Sequence, residues 1–188
     1  GNGGGTFLQS LEISDEFLPK GDMIVSIRGR KKYYSQEFRA SQNDQYEHIP
    51  LIILISQGTA SAPEIVSGAV QDHDRGLIIG QDSWGKGLVQ TVFTFSKKAA
   101  VAITTARYYT PSGRSIQRDY TYLEDYRLKR DVPEEREVKY TEGGRKVLGQ
   151  GGISPDYKVE LSYKPLTYML LLRGAVFSYG RKFAEKQT

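Results

Sequence analysis

IPLIILISQGTASAPEIVSGAVQDHDRG, residues 49–76, decides how this chain folds. Leu51 to Ile55 is an unbroken apolar run of strand length, which predicts a strand covered on both faces. Gly58-Thr59-Ala60-Ser61 leaves that strand. Pro63 to His73 then carries helical spacing, and Pro63 suits a first turn, where its missing N–H is no loss. Leu77-Ile78-Ile79 reads as a further strand, and strand, helix, strand in that order predicts an α/β class. Ser61 stands at the helix start. Its plain reading is a cap, because Ser61-Ala62-Pro63-Glu64 fits the capping box, in which Ser accepts a free N–H and Glu reaches back.

The 188 residues suffice for one sizeable domain with a real core, and 38% hydrophobic with 26% charged residues suits a soluble globular chain. The runs "LIILI" and "MLLL" are too short to span a bilayer. With no Cys, disulfides and thiolate metal sites are excluded. The net charge is +4, and the dense basic cluster is Arg28-Gly29-Arg30-Lys31-Lys32. It reads as a solvated loop end, and no phosphate loop or RNA-binding signature accompanies it, so no nucleic acid partner is expected. The chain opens on Gly1-Asn2-Gly3-Gly4-Gly5, without Met or signal peptide, which reads as a boundary inside a longer protein.

Phe7, Leu8, Leu11 and Phe17 are spaced as a helix face, and Met23 to Ile27 reads as a strand; residues 29–48 are polar and irregular. Residues 88–96 and 99–109 alternate apolar and polar side chains and predict an antiparallel hairpin turning at Lys97-Lys98. Residues 118–150 hold eight basic and eight acidic side chains, so they read as an exposed polyampholyte rather than core. Residues 164–186 restore a helical pattern expected to close the domain.

A serine hydroxyl attacks nothing at neutral pH unless a base takes its proton. His48 and His73 are the two histidines, and His73 lies three turns along Ser61's own helix, which disfavours a Ser-His-Asp triad. Asp72-His73-Asp74 resembles a metal cluster in composition only; adjacent helical residues face different ways, and a solvated helix end is expected. Lysine is the remaining base. Lys86 sits between Gly85 and Gly87, in a turn whose backbone can approach a neighbour closely. Taken alone, Lys86 is a turn lysine in water and Gln90 a polar residue on a strand's outer face. If strand 51–56 and the strand from Leu88 are neighbours, Lys86 reaches over the start of Ser61's helix and Gln90 can hold its amine. A base must be neutral, so the Lys86 side chain is expected to be buried between its glycines. The Ala62 N–H lies at the positive helix end, where an oxyanion would form. A second donor is expected from Gly3-Gly4-Gly5, with Gly4 the candidate.

These blocks together resemble the C-terminal-processing (tail-specific) serine peptidases. Gly58 to Ile65 match that family's Gly-Ser/Thr-Ala-Ser-Ala-x-Glu-Ile nucleophile segment, and Gly85 to Gln90 match its Gly-Lys-Gly-x-Val-Gln. Lys86 follows Ser61 by 25 positions, the family's separation. Tyr108 to Gln117 and Gly151 to Asp156 match two further blocks, and Gly1 to Gly5 its Asn-x-Gly-Gly turn, with Gly3 where Pro is frequent. The resemblance implies an α/β, ClpP/crotonase-like spiral fold with an antiparallel hairpin and a charged insertion at about 118–150. It implies a serine endopeptidase cleaving polypeptides near their C-termini, with Ser61 as nucleophile, Lys86 as general base and Gln90 orienting it. Backbone N–H groups of Ala62 and Gly4 would form the oxyanion hole. No cofactor and no metal is required, the partners are polypeptide substrates, and the implied location is extracytoplasmic, in the periplasm or cell envelope. Residues 1–188 are then a partial catalytic domain, the upstream core strands and PDZ domain lying outside them. The open edge this leaves would self-associate or pair with the missing N-terminal part. Two rivals stand beside this reading: a non-catalytic polypeptide-binding module on the same fold, and a crotonase-like acyl-CoA enzyme in which the Ser–Lys pair would be idle.

Overall fold

From the N-terminus the elements are α1 (Phe7–Asp15), β1 (Met23–Gly29), a 3₁₀ turn (Lys32–Tyr34), β2 (Gln36–Arg39), β3 (Ile52–Ile55), α2 (Ala62–Asp72) and β4 (Leu77–Gly80). They continue with β5 (Leu88–Ser96), β6 (Ala99–Tyr109), β7 (Val138–Tyr140), β8 (Lys146–Leu148), β9 (Tyr157–Lys158), α3 (Pro165–Leu172) and α4 (Ala175–Glu185). The structure, a computed structural model, describes residues 1–42, 46–119, 136–160 and 165–185.

Strands β3 and β4 pair in parallel, Ile52 opposite Leu77 through Ile55 opposite Gly80, because α2 carries the chain back between them. β9 extends this sheet beyond β4. A second, antiparallel sheet has the order β2-β1-β6-β5. Its hairpin β5–β6 sets Phe93 opposite Val101 and turns at Lys97-Lys98, as the alternation predicts. Helix α2 packs with both sheets and is buried along most of its length. Ile65 and Ala69 pack with Leu18, Ile24, Val25, Ala40 and Tyr108. Val70 packs with Ile55, Ile78, Ile116 and Ile153. Phe7 of α1 completes the first cluster, edge-on to Phe38 at 4.8 Å between ring centroids and stacked on Tyr108 at 5.8 Å.

Several expectations change. β3 is not covered on both faces: Ile52 is 57% and Leu54 77% exposed, while Ile55 is buried. Among the described residues β3 is a sheet edge covered by α2 on one side, and an unbroken apolar run reads the same in either case. Nor are β3 and the strand from Leu88 neighbours; β4 pairs with β3, and β5 belongs to the other sheet. Residues 29–48 are not wholly irregular, since β2 pairs with β1 and brings Phe38 to the core. The segment before Gly151 is not an exposed excursion where it is described. β7 and β8 form a hairpin with Val147 and Thr141 buried. Arg145 pairs with Asp74 and, at 2.7 Å, with Asp156; Arg136 donates to Gly149 O and Ser154 Oγ, each at 2.7 Å. Opposite charges in equal number can neutralise one another inside a fold as well as in water. The rest of the expected insertion, residues 120–135, lies outside the described residues.

The C-terminal pattern is helical, but it breaks at Arg173-Gly174 and does not close the core. Leu166, Leu172, Phe177 and Phe183 of α3 and α4 are exposed. No described helix is long and apolar enough to cross a membrane.

Candidate active site

Ser61 caps α2 with φ +65° and ψ −118°, a conformation that L-residues rarely adopt. Such backbone costs of order 1–3 kcal/mol and persists where the surroundings enforce it, often at functional sites. The N–H of Glu64 donates to the Ser61 carbonyl at 2.8 Å. The Glu64 arm of the capping box forms, the Ser61 N–H donating to Glu64 Oε2 at 2.7 Å. Ser61→Gly is accordingly expected to gain about 1 kcal/mol from relieved strain. Urea unfolding of both proteins checks this, and a loss of stability would place the strain elsewhere.

Glu64 does more than the capping box requires. Its carboxylate is fully buried and accepts four hydrogen bonds. Oε2 takes the N–H of Ser61 at 2.7 Å and of Lys86 at 2.9 Å; Oε1 takes the N–H of Gly85 at 2.7 Å and the Ser83 hydroxyl at 2.5 Å. One oxygen thus ties the two motifs together. Burial pushes the carboxyl above the usual carboxylate range, and the bonds from Ser83, Lys86, Ser61 and Gly85 oppose that push. A carboxyl raised in the folded state adds stability that is fully present below the unfolded value of about 4.3 and is lost as pH rises through the folded one. Glu64→Gln should remove that part of the pH dependence. Unfolding free energies measured from pH 4 upward test it, and parallel curves for the two proteins would contradict it.

The Lys86 turn reaches Ser61 through loop contacts rather than through strand pairing. Trp84 N–H donates to Thr59 O at 2.7 Å, Arg118 N–H to Gly85 O at 3.0 Å and Tyr108 N–H to Gly87 O at 2.7 Å. Gln117 Oε1 accepts the Gly87 N–H at 2.8 Å. Both glycines are required by contact: a Cβ on Gly85, φ +88°, would lie 2.9 Å from Gly152 N, and one on Gly87 2.9 Å from Ile116 Cγ1. Because these two residues press their own backbone inward, the side chain between them turns outward. Lys86 is exposed, against the expectation of burial, and Gln90 on β5 is exposed as well.

Ala62 opens α2, so its N–H has no partner within the helix. The glycine turn is held beside it, since Ala60 N–H donates to Asn2 O at 2.9 Å and a Cβ on Gly4 would stand 3.9 Å from Ser61 Cβ. The Gly4 N–H points at Asn2 Oδ1, 3.2 Å away, and would have to leave it to serve an oxyanion. A cavity of about 550 Å³ opens here, lined by Gly4, Gly5, Ile53, Thr59, Ala62 and Pro63 among others.

The Asp72-His73-Asp74 run is not a solvated helix end. Asp72 is buried in an ion pair with Arg114 at 2.7 Å. The His73 side chain is 5% exposed, with Nε2 donating to Met23 O at 2.7 Å and Nδ1 2.8 Å from Glu142. Sequence reasoning also missed Ser83, Gln117 and the long-range role of Glu64. Glu64 had a signal in the capping box and Gln117 in the block from Tyr108 to Gln117; Ser83 had none.

Residues 1–127 match the model of peptidase family S41. The chain belongs to that family. Among S41 relatives, it is 51% identical over 116 residues to a carboxy-terminal-processing protease of Bartonella bacilliformis, covering 62% of this chain and 26% of that protein. It is 40% identical over 119 residues to a chloroplastic C-terminal processing peptidase of Tetradesmus obliquus, covering 62% and 25%. Among solved structures, a photosystem II D1 C-terminal processing protease matches with a TM-score of 0.61 and 31% identity, over 85% of this chain and 32% of that one. This S41 chain therefore spans about a quarter of the length of the curated relatives it matches.

Proposed function

We propose that this S41 chain carries the catalytic centre of a serine endopeptidase that cleaves polypeptides near their C-termini with a Ser–Lys pair. The Ser61 oxygen adds to the scissile carbonyl carbon while its proton passes to the neutral amine of Lys86. The N–H of Ala62 and one from the glycine turn, that of Gly4 once released by Asn2, hold the oxyanion. Lys86 returns the proton to the departing amine, and the acyl-enzyme ester forms. Water then repeats the sequence, frees the new C-terminus and restores Ser61. Gln90 orients the lysine, and no metal or cofactor enters these steps. A ClpP/crotonase-like spiral for the complete catalytic domain and an extracytoplasmic location belong to the same reading.

One observation carries it: Glu64 Oε2 accepts both the Ser61 and the Lys86 N–H, so a single buried atom fixes the two blocks together. The test is a fluorophosphonate probe on the full-length protein, followed by peptide mapping. Label on Ser61 that is lost in Lys86→Ala is expected. An unlabelled protein that still binds unfolded polypeptides would establish the non-catalytic module instead.

A further inference from the structure

Resting on the Ser–Lys reading, we infer that Ser83 is a positioning residue for that pair, acting through Glu64 and fixed by the Gly152-Ile153 segment. Ser83 is fully buried. Its hydroxyl donates to Glu64 Oε1 at 2.5 Å and accepts the Ile153 N–H at 2.7 Å, while its own N–H donates to Ile153 O at 3.0 Å. The single hydroxyl proton therefore has one destination, the carboxylate, because the Ile153 N–H occupies the oxygen's acceptor side. Gly152 permits this approach: with φ +85°, a Cβ there would lie 2.5 Å from Ser83 Oγ and 2.8 Å from Ser83 O. A segment 91 to 92 residues downstream of Ser61 thus aims the serine that completes the Glu64 shell.

The chemistry of that shell makes the fourth donor matter. An ionised carboxylate offers about four acceptor positions, and here Ser83, Gly85, Ser61 and Lys86 take them. Removing the hydroxyl leaves a buried charge with three donors, so Glu64 takes up a proton more readily. Once protonated, one oxygen becomes a donor facing N–H donors, and the shared hold on Ser61 and Lys86 loosens. Ser83 touches neither substrate nor the reacting atoms; its effect passes through Glu64.

The experiment uses the full-length protein, after fluorophosphonate labelling has tested Ser61 independently. Ser83→Ala is expected to lower kcat about tenfold or more with KM within about twofold. The Glu64 carboxyl, followed by carbon-13 NMR, should titrate at higher pH in this variant, and Ser83→Thr should restore both readings. If Ser83→Ala does not fold, Ser83→Cys decides, because its thiol fills the place but donates weakly. An unmoved Glu64 titration in the deciding variant, or a kcat loss that Ser83→Thr does not recover, would overturn the assignment. If Ser61 takes no label, the peptidase reading fails; if Ser61 is labelled and Ser83→Ala turns over like the parent, this inference fails alone.

Discussion

Ser61→Ala and Lys86→Ala are each expected to lower peptidase activity of the full-length protein by about four orders of magnitude or more, with the fold intact. A nucleophile and its base act as one unit, so losing either costs nearly as much as losing both. The structure explains why folding should be spared. Both residues are held by backbone N–H groups on Glu64 Oε2, and alanine keeps those N–H groups. The Lys86 side chain is exposed, so its removal opens no cavity. Gln90→Ala should be milder, because water can replace an orienting amide on an exposed strand. Turnover of an unfolded model protein within tenfold of the parent by either Ser61→Ala or Lys86→Ala would remove the Ser–Lys assignment. A double variant far weaker than both singles would also count against a joint role.

The β3–α2–β4 unit and the β5–β6 hairpin were legible because each rests on local signals: an apolar run, a proline in a first turn, alternation around Lys97-Lys98. The place of Ser61 at a helix start was legible for the same reason. Exposure was not, since Ile52, Leu54 and Ile55 are chemically alike and differ only in what packs on them. The link between the two motifs was not legible either. It runs through Glu64, whose short-range capping pattern hid bonds to residues 19 to 22 positions away. The docked hairpin β7–β8 was misread because composition reports charge balance and not partners. Arg145 finds Asp74 and Asp156, and Arg136 finds Ser154, only once the chain has folded.

The largest expected loss of stability lies at the other end of α2. Asp72 and Arg114 pair at 2.7 Å with both side chains wholly buried. Arg114 also donates to Gln71 Oε1 at 2.7 Å and Leu148 O at 2.9 Å, and Asp72 Oδ2 accepts from Ser112 N–H and Oγ. Among the described residues Arg114 Nε is buried without a hydrogen-bond partner. Removing one member of such a pair strands the other charge and costs about 3–5 kcal/mol, while an apolar pair of similar volume is often neutral or better. Asp72→Ala and Arg114→Ala should therefore each lose about that much, a large part of a typical domain's 5–15 kcal/mol. Asp72→Leu combined with Arg114→Met should lose less than either single change. Urea midpoints at unchanged m-values measure this. Singles within about 1 kcal/mol of the parent, or a double whose loss equals their sum, would mean that the pair is not the clamp described. The clamp also bears on the site. Arg114 fixes the segment whose Gln117 accepts the Gly87 N–H at 2.8 Å and whose Arg118 N–H holds Gly85 O at 3.0 Å. The single variants should therefore lose activity at urea concentrations well below those that unfold them, because the Lys86 turn loosens before the cores separate.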